Sequence, residues 1–391
     1  MALTTVSSDR LATNVKNTNF TAAEKQDLTN DILPLATQFG QSKNLIINGS
    51  VQISQRGTAT TSAGYLVDRY KLLTNGCDDA PEQRQASLGS GDTGPYAEGF
   101  RKAYKITNGN QTSGAGAGDY IFFRQQLEAQ DIAKSGWDYT NTSSFITLSF
   151  WVKSSVAQNF YGYVRTHDGT SYIYPFETGS LTADTWTKVT KTIPGNSNLQ
   201  FDNDNNVGLG VNFAPFQGTD YTDAGVTLNA WAAYASGTKA PNYTSTWFTT
   251  NNATFEMTGL QLEVGSVATD FEHRSFAQEL ALCQRYYFLF CEGTNKELNV
   301  AWYFNSSHIS FLLRYPTTMR AAPTLTVASG TNYYILYRNG SNDQFDNFAS
   351  EFISTEQMSC FKNSGVSGTA GQAGILRTNN SAAKVEMSAE L

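Results

Sequence analysis

Residues 146–152 read Ile-Thr-Leu-Ser-Phe-Trp-Val, and this stretch decides the fold. An apolar side chain stands at every second position, with threonine, serine and tryptophan between them. Because side chains along a β-strand point alternately to the two faces of a sheet, the spacing predicts a strand with one face in the core. The same period returns in residues 207–213, where two glycines take the alternate positions, and in residues 255–264. The centre of the chain is therefore predicted to be β structure.

Between these strands the sequence is polar and rich in glycine, asparagine, aspartate, serine and threonine. The polar segments cover residues 89–94, 109–118, 194–206 and 215–252. Many short strands joined by such turns predict an antiparallel β-sandwich. We expect β structure from residue 44 to about residue 274, including residues 45–53.

A second β region follows the first. Its alternation is clearest in residues 300–304, 309–313, 333–337 and 384–387. A region of about a hundred residues with this pattern predicts one small β-sandwich. Ser275-Phe-Ala-Gln278 is a capping box followed by apolar residues at helical spacing. A bridging helix of about three turns is therefore expected between the two β regions.

The N-terminal arm, residues 1–43, differs from the rest. Thr21-Ala-Ala-Glu24 is another capping box, and an apolar stripe of Leu28, Ile32 and Leu35 follows it. A helix this short is marginal alone in water, so the stripe needs a partner: the body of the protein, a sister chain or another protein. The change in composition at residues 40–43 predicts that the arm docks onto another protein while the rest folds without it.

Composition excludes several classes of function. The 391 residues carry a net charge of -7 without any block of basic residues, so a nucleic-acid ligand is not expected. The longest apolar run, residues 281–291, contains a glutamine and an arginine and is shorter than the roughly 20 residues that span a bilayer. Residues 1–10 lack the pattern of a secretory signal, so synthesis in a cytosol is expected, and the 4 cysteines are predicted to be reduced thiols.

Several segments resemble one known family. Residues 44–50 (Asn-Leu-Ile-Ile-Asn-Gly-Ser), Gln55-Arg-Gly57 and Val67-Asp-Arg-Tyr70 are similar to the first strands of a module of bacteriophage tail fibre and other virion structural proteins. The resemblance is more specific in residues 259–274, which end in Asp-Phe-Glu-His-Arg, and in residues 279–287, which end in Gln-Arg-Tyr-Tyr. Met319-Arg-Ala-Ala-Pro-Thr324 and Ala389-Glu-Leu391 resemble the small β domain that often closes such chains.

The resemblance implies both an architecture and a role. Residues 44–274 would form a jelly-roll module like a carbohydrate-binding module, and residues 275–391 the bridging helix and terminal β domain. The chain would be a virion structural protein and a homotrimer, made in the host cytoplasm and held to other virion proteins by its arm. As a tail fibre or receptor-binding component it would attach to bacterial surface polysaccharide. The alternative is a capsid-decoration or tail-knob protein with no receptor role.

Residues 215–252 are the predicted ligand site, because a connection this long inside a compact domain is usually functional. Aromatic faces beside polar groups suit sugar rings. The proposed aromatic contacts are Trp231, Tyr234, Tyr243 and Trp247, with Asp220, Asp223 and Asn242 as hydroxyl partners. The rings serve equally well to pack the loop onto its sheet or to bury a subunit interface. Trp151, Tyr161 and Tyr163 are an alternative platform.

No catalytic pattern stands out, and the chain is not expected to be an enzyme. The 3 histidines have no metal spacing, and His273 is expected to make a structural hydrogen bond. Asp202, Asp204 and Asn206 place oxygen ligands at alternate positions, as a calcium loop would. The glycine and glutamate of an EF-hand are missing from the sixth and twelfth positions of this loop. A solvated turn is therefore the alternative to a structural calcium site.

Overall fold

The computed structural model describes residues 43–391. The helix predicted to begin near Thr21, and the docking role of the arm, lie outside these residues. Strands of the first part are β1 Ala59–Thr60, β2 Gly64–Tyr65, β3 Lys71–Asn75, β4 Glu82–Ser87, β5 Lys102–Thr107, β6 Tyr120–Glu128, β7 Phe145–Ser154, β8 Asn159–Thr166, β9 Tyr172–Ser180, β10 Thr187–Pro194, β11 Val207–Gln217, β12 Ala232–Ala233 and β13 Thr254–Val264. Three short helices are α1 Ala129–Ala133, α2 Thr246–Thr249 and α3 Phe276–Gln284. The remaining strands are β14 Tyr287–Glu292, β15 Glu297–Asn305, β16 His308–Arg314, β17 Thr324–Val327, β18 Tyr334–Tyr337, β19 Asp343–Phe345, β20 Ala349–Ile353, β21 Gln357–Lys362, β22 Ala373–Thr378 and β23 Lys384–Ser388.

Residues 59–264 form a β-sandwich of two antiparallel sheets, as predicted. One sheet has 6 strands in the order β1-β4-β5-β13-β7-β10, and the other has 7 in the order β12-β9-β8-β11-β6-β3-β2. Successive strands from β5 to β8 alternate between the two sheets, as in a jelly roll. The inward side chains of both sheets share one core, in which the rings of Phe150 and Phe213 meet edge to face with centroids 4.9 Å apart. The fold is all-β.

The segment Leu45–Ile53, which was expected to be β structure, is not a strand. Asn48 has a φ of 62°, a left-handed conformation that interrupts any extended run. Its side chain accepts a hydrogen bond from the Ile53 amide and donates to the carbonyls of Ile53 and Asp68. A buried asparagine therefore supplies hydrogen bonds that a neighbouring strand would otherwise make, and the segment turns.

The bridging helix α3 is confirmed. Ser275 accepts a hydrogen bond from the amide of Gln278, whose side chain in turn accepts from the amide of Ser275. This reciprocal capping satisfies two free amides and fixes where the helix begins. The helix ends at Gln284, and Tyr287 already belongs to β14. Residues 43–391 contain no helix with the length and hydrophobicity needed to cross a membrane.

Residues 287–388 form two further antiparallel sheets around a second core. One has 3 strands, β14-β23-β17, and the other 7, β19-β18-β22-β15-β16-β21-β20. The second core includes the buried rings of Tyr303, Phe311 and Tyr334. The division of the chain into domains at residues 43 and 274 stays a prediction.

A buried polar cluster joins the two β regions. Arg69, which is 2% exposed, pairs with Glu390, and its guanidinium carbon lies 3.4 Å from the ring centroid of Tyr286. Arg56 also contacts Glu390, at 3.1 Å, and lies over the ring of Tyr287. We call Arg56, Arg69, Tyr286, Tyr287 and Glu390 the junction cluster. Four motifs quoted for the resemblance, at residues 55–57, 67–70, 279–287 and 389–391, therefore meet at one place.

A second ion pair reinforces this junction. Glu128, at the end of β6, is completely buried and accepts hydrogen bonds from Arg285 Nε and an Arg285 terminal nitrogen, both at 2.7 Å. The Tyr286 hydroxyl donates to the same carboxylate at 2.6 Å. These donors outweigh the effect of burial and hold the pKa of Glu128 below its usual range. The carboxylate is therefore ionised at neutral pH.

A candidate cleft on the outer face of the seven-stranded sheet

The outer face of the first seven-stranded sheet carries polar side chains over the middle of the sandwich. β11 lies at its centre, between β6 and β8. Arg124 of β6 is the register partner of Asn212 of β11, which in turn faces Tyr163 of β8. In the next row Gln126 pairs with Gly210, and Gly210 with Arg165. Side chains two apart on a strand share a face, so these two rows lie side by side.

Gly210, on the central strand of this face, has no side chain to cover the backbone. It is buried, and a Cβ built there would lie 3.3 Å from His167 Nε2 and 3.4 Å from Asn212 Nδ2. The side chains of Arg124, Arg165 and His167 are half-buried around it. We call the space bounded by Arg124, Gln126, Arg165, His167 and Asn212, with Gly210 as its floor, the outer-face cleft.

Several polar atoms in and beside the cleft have no hydrogen-bond partner. They are Nε of Arg124, Oε1 of Gln126, and both side-chain polar atoms of Gln217. Gln126 is 6% exposed and Gln217 1%, so these amides are largely shielded from bulk water. Leaving one such group unpaired costs about 1–3 kcal/mol, which a ligand or an ordered water could recover by hydrogen bonding.

The cleft is cationic although the protein as a whole is acidic. Among residues 43–391, neither Arg124 nor Arg165 lies within ion-pair distance of a carboxylate. Burial, together with the charges of Arg165 and Arg124, lowers the pKa of His167 to about 4. Burial and the charge of Arg165 likewise lower the pKa of Lys239 to about 8. His167 is therefore neutral at pH 7.

The segment 218–253, which we call the covering loop, packs along the same face. The Tyr243 hydroxyl donates to the Tyr161 carbonyl at 3.2 Å, and the two rings meet edge to face. Tyr221 contacts Tyr120 in the same geometry, with centroids 5.2 Å apart. Tyr234 reaches the cleft itself, where the Arg165 guanidinium carbon lies 3.5 Å from its ring centroid. The loop therefore borders the cleft with one aromatic ring.

The prediction that Trp247 stacks on a ligand is wrong for this structure. Trp247 is 0% exposed in helix α2, and its Nε1 donates to the Thr254 carbonyl at 3.0 Å. Its backbone amide donates to the side chain of Gln158 at 3.1 Å. Both faces of the ring lie in the core of the sandwich, so no sugar can reach them.

The other predicted contacts do not gather at one place. Trp231 donates from Nε1 to the Pro194 carbonyl at 2.7 Å and packs against Tyr174, away from the residues that bound the cleft. Asp220 and Asp223 are exposed; the Asp223 carboxylate accepts from the amide of Gly225 at 2.6 Å. Asn242 is exposed and accepts from the Thr222 hydroxyl at 2.8 Å. Of the rings predicted in the loop, Tyr234 alone is placed at the outer-face cleft, and sugar contact by Trp231 and Tyr243 stays a prediction.

The alternative aromatic platform is divided between the two sheets. Tyr161 and Tyr163 lie on β8 of the seven-stranded sheet, whereas Trp151 lies on β7 of the six-stranded sheet. Trp151 Nε1 donates to Glu98 at 3.0 Å, and the ring packs over Gly94. The three rings therefore cannot form one binding surface.

In the predicted calcium loop, the carboxylate oxygens accept hydrogen bonds from residues close in the sequence. Both carboxylate oxygens of Asp204 accept hydrogen bonds from Asn206, and one oxygen of Asp202 accepts from Gln200. No group of three or more His, Cys, Asp or Glu side chains is gathered for a metal within the part of the chain that the structure describes. Calcium binding at Asp202, Asp204 and Asn206 stays a prediction. The structural hydrogen bond expected of His273 is confirmed, with its Nε2 2.8 Å from the Glu98 carbonyl.

The residues of the cleft carry a sequence signal that was available. Tyr161, Tyr163, Arg165 and His167 stand at every second position, so period-two spacing alone places them on one face of a strand. The spacing that places Tyr161 and Tyr163 in the predicted alternative platform also covers Arg165 and His167. Arg124 gives a weaker signal, since the apolar and polar residues around it do not alternate.

A second concave site lies in the C-terminal region. This cavity of about 470 Å³ lies between β17 and β20–β21, and Lys362 is its one ionisable group. Lys362 Nζ donates to the side chain of Asn347 at 3.1 Å, which also lines the cavity. It lacks the unpartnered buried atoms found in the outer-face cleft, so the cleft is the stronger candidate.

The lowered pKa of the half-buried His167 predicts a pH effect on stability. Its ordinary pKa of 6.5 falls to about 4 in the folded protein, so the unfolded chain binds a proton between these values and the folded chain does not. His167 therefore contributes stability above pH 6.5 that is lost as the pH falls toward 4. Urea denaturation should show the wild type losing about 1–3 kcal/mol relative to His167→Gln across this range. Parallel curves for the two proteins would contradict the assignment.

Comparison with known protein families and curated proteins gives no match by sequence. Three solved structures are similar to part of this chain. A tailspike protein 4 domain of bacteriophage CBA120 is 11% identical with a TM-score of 0.29, over 57% of this chain and 21% of its own. The N-terminal cellulose-binding domain of Cellulomonas fimi β-1,4-glucanase C is 10% identical with a TM-score of 0.26, over 55% of this chain and 97% of its own. A family 11 carbohydrate-binding module from Clostridium thermocellum is 11% identical with a TM-score of 0.24, over 56% and 98%.

Proposed function

We propose that this chain binds a glycan in the outer-face cleft and that it does so without catalysing a reaction. One observation carries the proposal: buried polar atoms that lack hydrogen-bond partners lie near Gly210 and beside an aromatic ring. Those atoms belong to Arg124 and Gln126, and the ring to Tyr234. Sugar hydroxyls donate and accept hydrogen bonds, and the C–H face of a sugar packs on aromatic rings.

The geometry gives each group a role. Gln126 Oε1 would accept from a hydroxyl, and Arg124 Nε would donate to one. Gly210 would leave His167 and Asn212 in place to meet a sugar ring, because a Cβ there would lie 3.3 Å and 3.4 Å from their side-chain nitrogens and push against them. His167, neutral at pH 7, offers one acceptor and one donor nitrogen. The arrangement suits binding of a polar, ring-shaped ligand.

Filling the floor of the cleft is the direct test. Gly210→Leu places a side chain where the ligand would lie, and the strand at this position has no left-handed φ that would require glycine. We expect the purified full chain to bind at least one member of a panel of bacterial surface polysaccharides. Gly210→Leu should weaken that binding by about tenfold or more, as measured by biolayer interferometry.

Gly91→Leu is the matched control, because a Cβ at Gly91 meets nothing within 4 Å. This variant should bind like the wild type. Melting temperatures of both variants must stay close to the wild-type value for the comparison to hold. Equal binding by Gly210→Leu and Gly91→Leu would overturn the proposed site, and binding to no polysaccharide of the panel would overturn the function.

We further propose that the chain works in a bacteriophage virion, as a tail fibre or receptor-binding component that attaches to host surface glycan. The sequence motifs that meet in the junction cluster support this role. The alternative is a capsid-decoration or tail-knob protein with no receptor role. Labelling the protein in particles separates the two, since a distal tail position supports receptor contact and a capsid position contradicts it.

Self-association belongs to the same proposal. The outer face of the C-terminal seven-stranded sheet exposes a row of apolar side chains in register: Tyr337, Ile375 and Val300. Trp302, 43% exposed, and Phe304, 69% exposed, continue the patch along β15. Contiguous exposed apolar surface marks interaction sites in soluble proteins. The trimer number rests on the family resemblance alone.

A further inference from the structure

The outer-face cleft contains two cations and no anion to balance them. Arg124 and Arg165 stand on strands β6 and β8, one on each side of β11. Neighbouring strands are about 4.8 Å apart, so the two backbones are separated by about 10 Å across the sheet. Gly210, which has no side chain, lies between Gln126 and Arg165, and Asn212 lies between Arg124 and Tyr163 in the neighbouring row. The two arginines are therefore diagonal neighbours across β11, and both lie close enough to His167 for their charges to act on it.

Two lysines stand near the arginines of the cleft. Lys71 is the register partner of Arg124; burial and then the charge of Arg124 lower the pKa of Lys71, and Glu390 acts in the opposite direction. Burial and then the charge of Arg165 lower the pKa of Lys239 in the covering loop. The nearest structural partner of Arg165 is the hydroxyl of Ser171, at 3.1 Å, which is neutral. Arginines in ion pairs occur elsewhere in the same chain, at Arg69, Arg285 and Arg338.

Unpaired cations in a partly buried site are unfavourable unless a ligand supplies the opposite charge. Like charges held together in a region of low dielectric raise the energy of the free protein, and an anion relieves this on binding. A guanidinium presents a planar set of donors that matches the two oxygens of a carboxylate. A protein with a net charge of -7 would repel acidic polymers at long range, so a local cationic cleft provides the attraction that binding one requires.

We propose that the cleft binds an acidic saccharide, with the carboxylate of a uronic or sialic acid unit held between Arg124 and Arg165 above Gly210. This inference rests on the proposed glycan function and adds the chemical class of the ligand. Gln126 and Asn212 then contact the hydroxyls of the same unit, and Tyr234 packs on the adjoining sugar. His167 stays neutral and adds no further charge to the site.

The test compares binding of acidic polysaccharides with binding of neutral ones, one of which has the same sugar backbone as an acidic probe. Hyaluronate, polygalacturonate and polysialic acid are the acidic probes, and carboxyl-reduced polygalacturonate, dextran and mannan are the neutral ones. We expect the full chain to bind at least one acidic polymer about tenfold or more tightly than any neutral one, with affinity that falls as salt rises. Dextran sulfate, included as a further probe, separates recognition of carboxylate from attraction to any polyanion.

Two variants test whether Arg124 and Arg165 are responsible for binding of the acidic polymer. Arg165→Met and Arg124→Met keep length and apolar packing but remove the charge, and each should reduce binding of the acidic polymer by about tenfold or more. Arg84→Met is the matched control, since Arg84 is an exposed residue of the six-stranded sheet. The control should bind like the wild type. Arg165→Lys should recover only part of the affinity, because an ammonium group cannot form the paired contact.

The outcomes separate this inference from the proposed function. In one outcome the protein binds neutral polymers more tightly than acidic ones, and Gly210→Leu weakens this binding while Arg165→Met does not. That result would contradict the proposal that the ligand is acidic, but it would still support glycan binding. If dextran sulfate bound more tightly than every carboxylate polymer, the proposal that the cleft recognises a carboxylate group would be wrong. Failure of all the acidic polymers to bind would overturn this inference, while failure of every polymer, acidic and neutral, would overturn both.

Discussion

Trp247→Ala is expected to lower the free energy of unfolding by about 3–5 kcal/mol. Trp247 is among the largest completely buried side chains of the chain. Removing the indole ring leaves a cavity in the core of the sandwich and removes one of the two hydrogen bonds to the Thr254 carbonyl, which keeps the bond from the Ser155 amide. The loss should appear as a fall in the urea midpoint monitored by circular dichroism. At temperatures where the variant stays folded, its glycan binding should match the wild type.

Phe352→Ala provides the matched control. Phe352 is 81% exposed on β20, so the loss of its aromatic ring removes little buried surface. Its effect on stability should stay within about 0.5 kcal/mol. If Trp247→Ala were as mild as Phe352→Ala and instead weakened glycan binding, the Trp247 ring would be a ligand contact and the burial described above would be wrong.

Glu390→Ala is expected to destabilise the protein by about 3–5 kcal/mol, because it leaves Arg69 as a buried charge without its partner. Arg69 is 2% exposed and has a φ of 73°, a left-handed conformation that a side chain adopts only when other contacts hold it. Its remaining contacts are a hydrogen bond to the Gln126 carbonyl at 2.6 Å and the ring of Tyr286. Neither contact supplies a negative charge.

A double-mutant cycle measures the interaction free energy between Arg69 and Glu390. Arg69→Met combined with Glu390→Ala should cost less than the sum of the single changes, by about 1 kcal/mol or more, since neither charge is then left alone. Glu297→Ala, which removes an exposed carboxylate of β15, is the control and should have little effect. Additive single changes, or a Glu390→Ala variant as stable as Glu297→Ala, would show that the ion pair contributes nothing.

The sequence predicted the sandwich well because alternating apolar residues report directly on which face of a strand is buried. The strand containing Phe150 and the helix that begins at Ser275 were both predicted from such local patterns. The turn at Asn48 was missed because its hydrogen-bond partners include the carbonyl of Asp68, 20 residues away. Local spacing carries no information about a partner at that distance.

The site was harder to predict for the same physical reason. Tyr234 was identified, but whether a ring in the covering loop is exposed depends on which face of the sandwich the loop packs against. Trp247 has the same aromatic chemistry as a ligand contact and yet lies in the core. Arg124 and Arg165 are far apart in sequence and become one site only because β11 pairs with both of their strands.

The junction cluster also constrains the order in which the chain matures during synthesis. Glu390 lies 321 residues beyond Arg69, so a ribosome working at about 5–20 residues per second completes the pair on the order of tens of seconds after Arg69 is made. Until then Arg69 lacks its carboxylate, and the surface that later receives Tyr286 is open. The nascent sandwich is therefore expected to remain sensitive to proteases near residues 55–70 until Glu390 has emerged from the ribosome, and translation arrest before Glu390 should preserve that sensitivity.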